Sequence, residues 1–285
     1  MPDRLSEQPM LRVVQFSGGK DSTALVLWAR EQFGADGFTA VFFDTHWEAS
    51  QTMDYIRHIN ETVLEGRLVT VSSTKYIGLA DLSAKRKIVP SVRMRFCTQE
   101  LKIFPFIEWM DTQEYDEATV YQGIRADESK ARSTFPRRVY EKAYEAWIER
   151  PLLDWTAEQV FDMHKKYGIE PNPLYKLGAK RVGCFPCVMI SKGELRRLSQ
   201  TMPEIWDQIK KVEDAVAEGR GFFRPDYIPE RFHTARYCEV QAAGAPREGT
   251  YATWEDVKRY VTDPNSRLFE SCDASGCLSV YNLCE

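Results

Sequence analysis

LRVVQFSGGKDSTALVLWAREQF, residues 11–33, places an apolar run, a glycine turn and an apolar-periodic segment in direct succession. LRVVQF (11–16) has the continuous apolar character of a strand buried on both faces, and DSTALVLWAREQF (21–33) reads as a helix. Between them stand Ser17, Gly18, Gly19, Lys20, Asp21 and Ser22. Two glycines let the backbone turn tightly and present its N–H groups. The helix N-terminus adds a favourable dipole, and Lys20 brings a mobile positive charge. Together they form a cradle for oxyanions. It is not the GxxxxGK(S/T) loop of ordinary nucleotide triphosphatases, because the glycine spacing and the lysine position differ. The bland alternative is a strand-to-helix turn that happens to hold two glycines. Strand, loop, lysine, paired hydroxyls and helix all agree on the cradle. Asp21 has two readings, as part of the cradle or as a cap of the helix.

Working outward, FTAVFFD (38–44) reads as a strand, residues 49–65 as a helix and RLVTV (67–71) as a short strand. A helical TQELKIFPFIEWM (98–110) then leads into another strand, ATVYQG (118–123). Apolar strands alternating with amphipathic helices predict an α/β fold, a doubly wound and mostly parallel sheet covered on both faces. Ligands of such sheets sit beyond the carboxyl ends of the strands, which brings Ser17, Asp44 and Arg125 to one rim. The sheet is expected to end soon after residue 123. From about Pro151 the pattern changes to helix, Pro-rich turn, cysteine pair and helix, with Thr156 and Gln159 forming a capping box. Residues 219–246 read as a long irregular excursion and TWEDVKRYV (253–261) as a last helix. Two units are therefore expected: a nucleotide-binding α/β domain over residues 1–150 and a helical, irregular, cysteine-containing region over residues 151–285.

The 285 residues are 43% hydrophobic, with 38 Lys plus Arg against 42 Asp plus Glu, which excludes a disordered or collagen-like chain. No apolar run has the length of a membrane helix, and MPDRLSEQPM (1–10) lacks the apolar core of a signal peptide. The expectation is a cytoplasmic protein with no membrane partner. Its seven cysteines are then expected to hold metal or do redox chemistry. The mild acidic balance argues against nucleic-acid binding over the whole surface. Between Lys85 and Arg138, however, eleven Lys or Arg face eight Asp or Glu, which makes this the segment for an anionic ligand. Within it, the basic run Lys85–Arg95 reads as a solvated face, with a nucleic-acid backbone as the alternative.

Asp44 ends a strand, where a carboxylate binds Mg²⁺ or a ribose hydroxyl, or caps the next helix. Arg125, Lys130 and Arg132 lie in a loop too charged for packing, and guanidinium forks match phosphate or sulfate oxygens. The alternative there is a solvated loop with an Arg125–Glu128 ion pair. Lys102 is a second candidate for the nucleotide phosphates. Cys184 and Cys187 have the spacing of a zinc site, an iron–sulfur cluster or a thiol pair. Cys272 and Cys277 complete a set of four thiolates, which suits zinc or a [4Fe–4S] cluster alike. Cys238 reads as a buried or incidental thiol. Cys284 is either a swinging nucleophile or without function.

SGGKDS (17–22) resembles the pyrophosphate-binding loop of the N-type ATP pyrophosphatases, the adenine nucleotide α-hydrolase-like group. Within it the chain is most similar to the phosphoadenylyl-sulfate reductase branch, through DTHWE (44–48), FCTQELKIFPF (96–106), GIRADES (123–129) with Arg132, PLLDWTAEQV (151–160) and NPLYKLGAKRVGCFPC (172–187). The resemblance implies a PP-loop fold that cleaves ATP to AMP and pyrophosphate by adenylating a substrate, or binds a ready-made adenylyl sulfate. It gives Ser17, Gly18, Gly19, Lys20 and Ser22 the pyrophosphate with Mg²⁺, and the GxRxxES match, Gly123, Arg125, Glu128 and Ser129, the anion end. It favours a cluster over zinc, held by Cys184, Cys187, Cys272 and Cys277. Cys97 is the alternative ligand, since reductase relatives carry a tandem cysteine pair there and position 96 is Phe in this chain. Lys20, Arg125 and Cys284 are the residues expected to act in catalysis.

The implied activity is a sulfur-handling ATP pyrophosphatase, because the loop is intact whereas sulfonucleotide reductases tend to carry a degraded form. A reductase forming a cysteine thiosulfonate is the alternative. Against it, the reductases' Glu-Cys-Gly-apolar-His motif is absent and the chain ends Asn-Leu-Cys-Glu. A third reading is a non-catalytic nucleotide-binding subunit of a multi-protein sulfur-modification complex. The implied partners are an adenine nucleotide and a sulfur donor or thiol reductant protein, with nucleic acid an open acceptor.

Overall fold

The computed structural model describes residues 10–91, 93–216, 221–240, 246–266 and 268. In chain order its elements are β1 (Leu11–Phe16), α1 (Lys20–Phe33), β2 (Thr39–Asp44), α2 (Ser50–Thr62), β3 (Val69–Ser72) and α3 (Gly78–Arg86). Next, α4 (Phe96–Thr98) runs through a π-helical turn, Gln99–Ile103, into α5 (Phe104–Met110). Then come β4 (Ala118–Tyr121), β5 (Arg138–Glu141), β6 (Ala146–Glu149), α6 (Ala157–Lys166), α7 (Lys192–Thr201) and α8 (Ile205–Ala215). The last are β7 (Ala235–Val240), β8 (Pro246–Tyr251) and α9 (Trp254–Thr262).

Six strands form one sheet in the order β3-β2-β1-β4-β6-β5, parallel except for the edge strand β5. The sheet is buried on both faces because side chains alternate along its strands. Val14, Phe16, Ala40 and Phe42 pack with Leu25 and Leu27 of α1 and Ile59 of α2. Val13, Val41 and Phe43 turn to the opposite face, against Ile103, Phe106 and Met110. From β1 the chain moves one way through β2 and β3, then returns to the other side of β1 for β4. The topological switch point therefore lies between β1 and β4. Their carboxyl ends, Ser17–Gly19 and Gln122–Arg125, open onto one crevice.

The sheet does not end after residue 123. β6 pairs in parallel with β4, Thr119 opposite Trp147, and β5 adds the antiparallel edge. β6 alternates buried and half-buried positions and β5 exposed and half-buried ones, with charges at Arg138, Glu141 and Glu149, so these four-residue strands lack the apolar run of β1. Arg138 stacks on Trp147, 4.2 Å from the ring centre. Residues 219–246 are not wholly irregular either, since β7 forms an antiparallel hairpin with β8, Ala235 opposite Tyr251. Its ladder is made by backbone groups, which a Gly-, Pro- and Arg-rich text does not announce. The Thr156–Gln159 capping box is present at the start of α6.

A third core joins α7, α8 and α9, through Leu195, Leu198, Ile209 and Val257, to Trp47, Leu82, Phe96 and Leu101. Glu213 on α8 pins this region, its Oε1 accepting the Phe222 N–H at 2.7 Å and its Oε2 the Trp254 N–H at 3.0 Å. Burial pushes its carboxyl from the ordinary 4.5 up to about 7, against those two donors and with help from the charges of Asp214 and Glu255. Across that window the native state binds more protons than the unfolded chain. Stability therefore falls as pH rises through it, by roughly 3 kcal/mol in full. Glu213→Gln, which mimics the protonated acid, is expected to flatten this slope in urea unfolding followed from about pH 5 to about pH 7.5. A slope equal to that of the unsubstituted protein would assign the titration to another group.

Candidate functional site

The glycine loop folds as a cradle because its own hydroxyls close it. Ser22 Oγ accepts the Ser17 N–H at 3.2 Å, lies 3.0 Å from Ser17 Oγ and donates to the Gly19 carbonyl at 3.1 Å. Thr23 Oγ1 donates to the same carbonyl at 2.9 Å. Gly18 holds φ at +77°, and a Cβ there would come within 2.9 Å of Ile56, so only glycine fits. Gly19 occupies the N-cap position of α1 without a side-chain cap. Asp21 is thus not the cap of the helix. It lies in the first turn and is an ion-pair centre.

Asp21 takes Lys20 Nζ at 2.6 Å on one oxygen and Arg125 Nε at 2.5 Å on the other. Arg125, only 4% exposed, also reaches Asp127 at 2.6 Å. Its ion-pair partners are therefore Asp21 and Asp127, while Glu128 Oε2 accepts the Arg125 backbone N–H at 3.3 Å. Gly123 permits this approach of β4 to α1, since a Cβ there would stand 3.0 Å from the Asp21 backbone. Arg132 is buried and pairs through Nη1 with Glu128. Its Nη2 has no partner among the described residues. Ser17, Gly19, Lys20, Asp21, Ser22, Gly123, Glu128 and Arg132 line a cavity of about 30 Å³, closed on its far side by Tyr175, Arg181 and Val182.

The loop is also held from outside by groups that sequence reading did not single out. Asn172 Nδ2 donates to the Gly18 carbonyl at 3.1 Å. His164 Nε2 donates to the Lys20 carbonyl at 2.8 Å, and burial depresses its pKa, keeping the ring neutral. The Lys20 N–H donates to Tyr175 Oη at 3.0 Å. Asn172 and Tyr175 lie within the quoted NPLY stretch, but no local pattern ties them to a loop some 150 residues away. An asparagine directly before a proline is the one signal the sequence carries there.

Asp44 and Lys102 do not line this cavity. Asp44 Oδ1 accepts the His46 N–H at 2.8 Å, and α2 is capped at Ala49 instead, so Asp44 is not a helix cap. Lys102 acts on Glu48, Cys97 and Cys184, favouring their charged forms. Cys184 bridges to Glu48, and the Phe185 N–H donates to the Trp47 carbonyl at 2.6 Å. Trp47 itself is buried, its Nε1 donating to the Pro186 carbonyl at 2.9 Å. Thr45 Oγ1 donates to Glu48 at 2.6 Å and lies 3.6 Å from Cys184 Sγ. Burial pushes the Cys97 thiol up to about 11 and the Cys184 thiol up to about 12; Cys187, which is exposed, acts on both. Cys97 and Cys184 border the same apolar core. Among the described residues no three His, Cys, Asp or Glu side chains stand in metal-holding geometry. Cys272, Cys277 and Cys284, and the side chain of Cys238, lie outside the described residues. Lys85 pairs with Asp81, and Arg86 with Glu100. No helix among the described residues is long and apolar enough to cross a membrane.

The chain is 30% identical to the Escherichia phage 186 protein described as "Uncharacterized 37.8 kDa protein in gpa 5'region", over 99% of each chain. It is 33% identical to the adenosine 5'-phosphosulfate reductase of Allochromatium vinosum over 25% of this chain and 28% of that one. A crystal structure of phosphoadenylyl-sulfate reductase from Candida auris, a phosphate complex, superposes with a TM-score of 0.49 and 17% identity, covering 62% of this chain and 82% of that one. Residues 12–189, which span the sheet, the glycine loop, the arginine layer and the Cys184–Cys187 pair, match the family described as the phosphoadenosine phosphosulfate reductase domain. The chain belongs to that family.

Proposed function

We propose that the protein is an ATP pyrophosphatase of this family that adenylates an acceptor and supports sulfur transfer to it. The observation that carries the reading is the cavity at the switch point. Its lining combines the N-terminus of α1, Lys20 and Arg132, whose buried Nη2 has no partner among the described residues. An acceptor oxygen attacks the α-phosphorus in line, and the bond to the α,β-bridging oxygen breaks with departure of pyrophosphate. Loop amides, Lys20, Ser22 and Arg132 hold the departing group, and Arg125 leaves Asp21 with a partner when Lys20 turns from it to the phosphate. Mg²⁺, when bound with the nucleotide, would supply Lewis-acid neutralisation of the pyrophosphate oxygens. A sulfur donor of thiol or persulfide class then displaces AMP from the acceptor.

Cys184, Cys187, Cys272 and Cys277, with Cys97 as the alternative ligand, are proposed to hold a [4Fe–4S] cluster. The donor set is sulfur-rich, as soft metals prefer. Such a cluster would supply electrostatic and redox support to the sulfur chemistry. The second reading, a sulfonucleotide reductase, draws support from the adenosine 5'-phosphosulfate reductase similarity. In it a cysteine thiolate attacks the sulfur of the nucleotide and AMP or its 3'-phosphate leaves.

Calorimetric titration of anaerobically purified protein separates the two. Tight binding of ATP with Mg²⁺ and weak binding of adenylyl sulfate and its 3'-phosphorylated form is the expected result. The reverse order would make the protein a reductase and Cys284 the first residue to replace. Iron and acid-labile sulfide near about four each per chain is expected in the same sample, and stoichiometric zinc would overturn the cluster.

A further inference from the structure

The N–H of Lys20 is the first helical donor of α1, the group that an oxyanion at this loop would engage. Here a side-chain oxygen already takes it: Tyr175 Oη, at 3.0 Å. The phenol is held well above its ordinary pKa by burial, so it is a neutral oxygen. Lys20 Nζ lies 5.6 Å from the centre of the same ring, so both the backbone donor and the ammonium of Lys20 face Tyr175. Tyr175 also lines the cavity of about 30 Å³ left beside the loop, so its hydroxyl stands at the wall an anion would occupy. Around it the loop is complete, and the unpartnered Nη2 of Arg132 shows that the site has donors to spare.

We propose that Tyr175 is a stand-in for the anion: its hydroxyl occupies the Lys20 N–H position and withdraws when a phosphate oxygen takes that donor. The proposal rests on the reading of this loop as a phosphate site. Tyr175 sits at the end of a short 3₁₀ turn, Pro173–Tyr175. Asn172 just before it stays anchored to Gly18, so a small rotation of the turn is enough to open the cradle. A neutral phenol binds an N–H more weakly than a charged phosphate does. The exchange therefore favours a di- or triphosphate over neutral groups. It also makes Tyr175 a positioning residue, one that tunes the affinity of the site for anions without reacting.

The test compares pyrophosphate and ATP binding by the full-length protein and by Tyr175→Phe. In the variant no side chain takes the Lys20 N–H, so the ligand has only water to displace there. Pyrophosphate affinity is expected to rise by about three- to tenfold, the worth of one neutral hydrogen bond. The gain should appear in the association rate, because withdrawal of the hydroxyl no longer precedes binding. Weaker binding by Tyr175→Phe would show that the hydroxyl donates to the ligand and would overturn the proposal. Equal affinities and rates would overturn it too, while leaving the phosphate reading of the loop standing. Failure of both proteins to bind either anion would instead overturn that reading, and the proposal with it. Tyr175→Leu, which also lacks the hydroxyl, must move affinity in the same direction; a rise confined to one variant would point to altered packing and refute the stand-in role.

Discussion

Lys20→Ala is expected to weaken ATP binding by about ten- to a hundredfold, the worth of one charge-assisted contact to phosphate, while the melting temperature changes little. The fold is spared because the loop closes through Ser17, Ser22, Thr23 and the Gly19 carbonyl, none of which uses the lysine side chain. Asp21 also keeps its second partner, Arg125, so no buried carboxylate is stranded. Titration calorimetry and thermal unfolding on one preparation check both halves. Unchanged ATP affinity would remove Lys20 from the site.

Arg125→Ala is expected to act on the fold as well as on the ligand, lowering unfolding free energy by about 3–5 kcal/mol, as for a broken buried ion pair. The guanidinium is 4% exposed and spans Asp21 and Asp127, tying the loop after β4 to the first turn of α1. Arg125→Lys restores charge but not the fork, so recovery of about half or less is expected. Asp127→Asn is expected to change stability by less than about 1 kcal/mol, because that carboxylate is half exposed. A loss below about 1 kcal/mol for Arg125→Ala, measured by urea unfolding, would show that Lys20 alone compensates Asp21.

Much of this architecture was legible one residue at a time. LRVVQF and TAVFF are continuous apolar runs because both faces of their strands are covered, and the helices between them carry the matching periodicity. Gly18 is required by its dihedral angle and by Ile56, and it stood in the sequence as half of a glycine pair. β5 and β6 were not legible, since short, partly exposed strands carry too few apolar positions to set a period. The β7–β8 pair was missed because PREGTY (246–251) holds a proline, a glycine and two charges and no apolar run.

The sequence by itself determined the α/β class, the tight glycine loop between β1 and α1, and the list of cations and thiols in the chain. Each rests on local physics: side-chain period, glycine freedom and charge. Which of those groups meet was decided only by the tertiary structure. Arg125 turned to Asp21, Lys102 was carried to Glu48 and the cysteines, and Tyr175 and Asn172 came from a distant turn to hold the loop. Such meetings follow from the sheet order and from packing across it, which couple residues far apart in the chain and leave no local pattern in it.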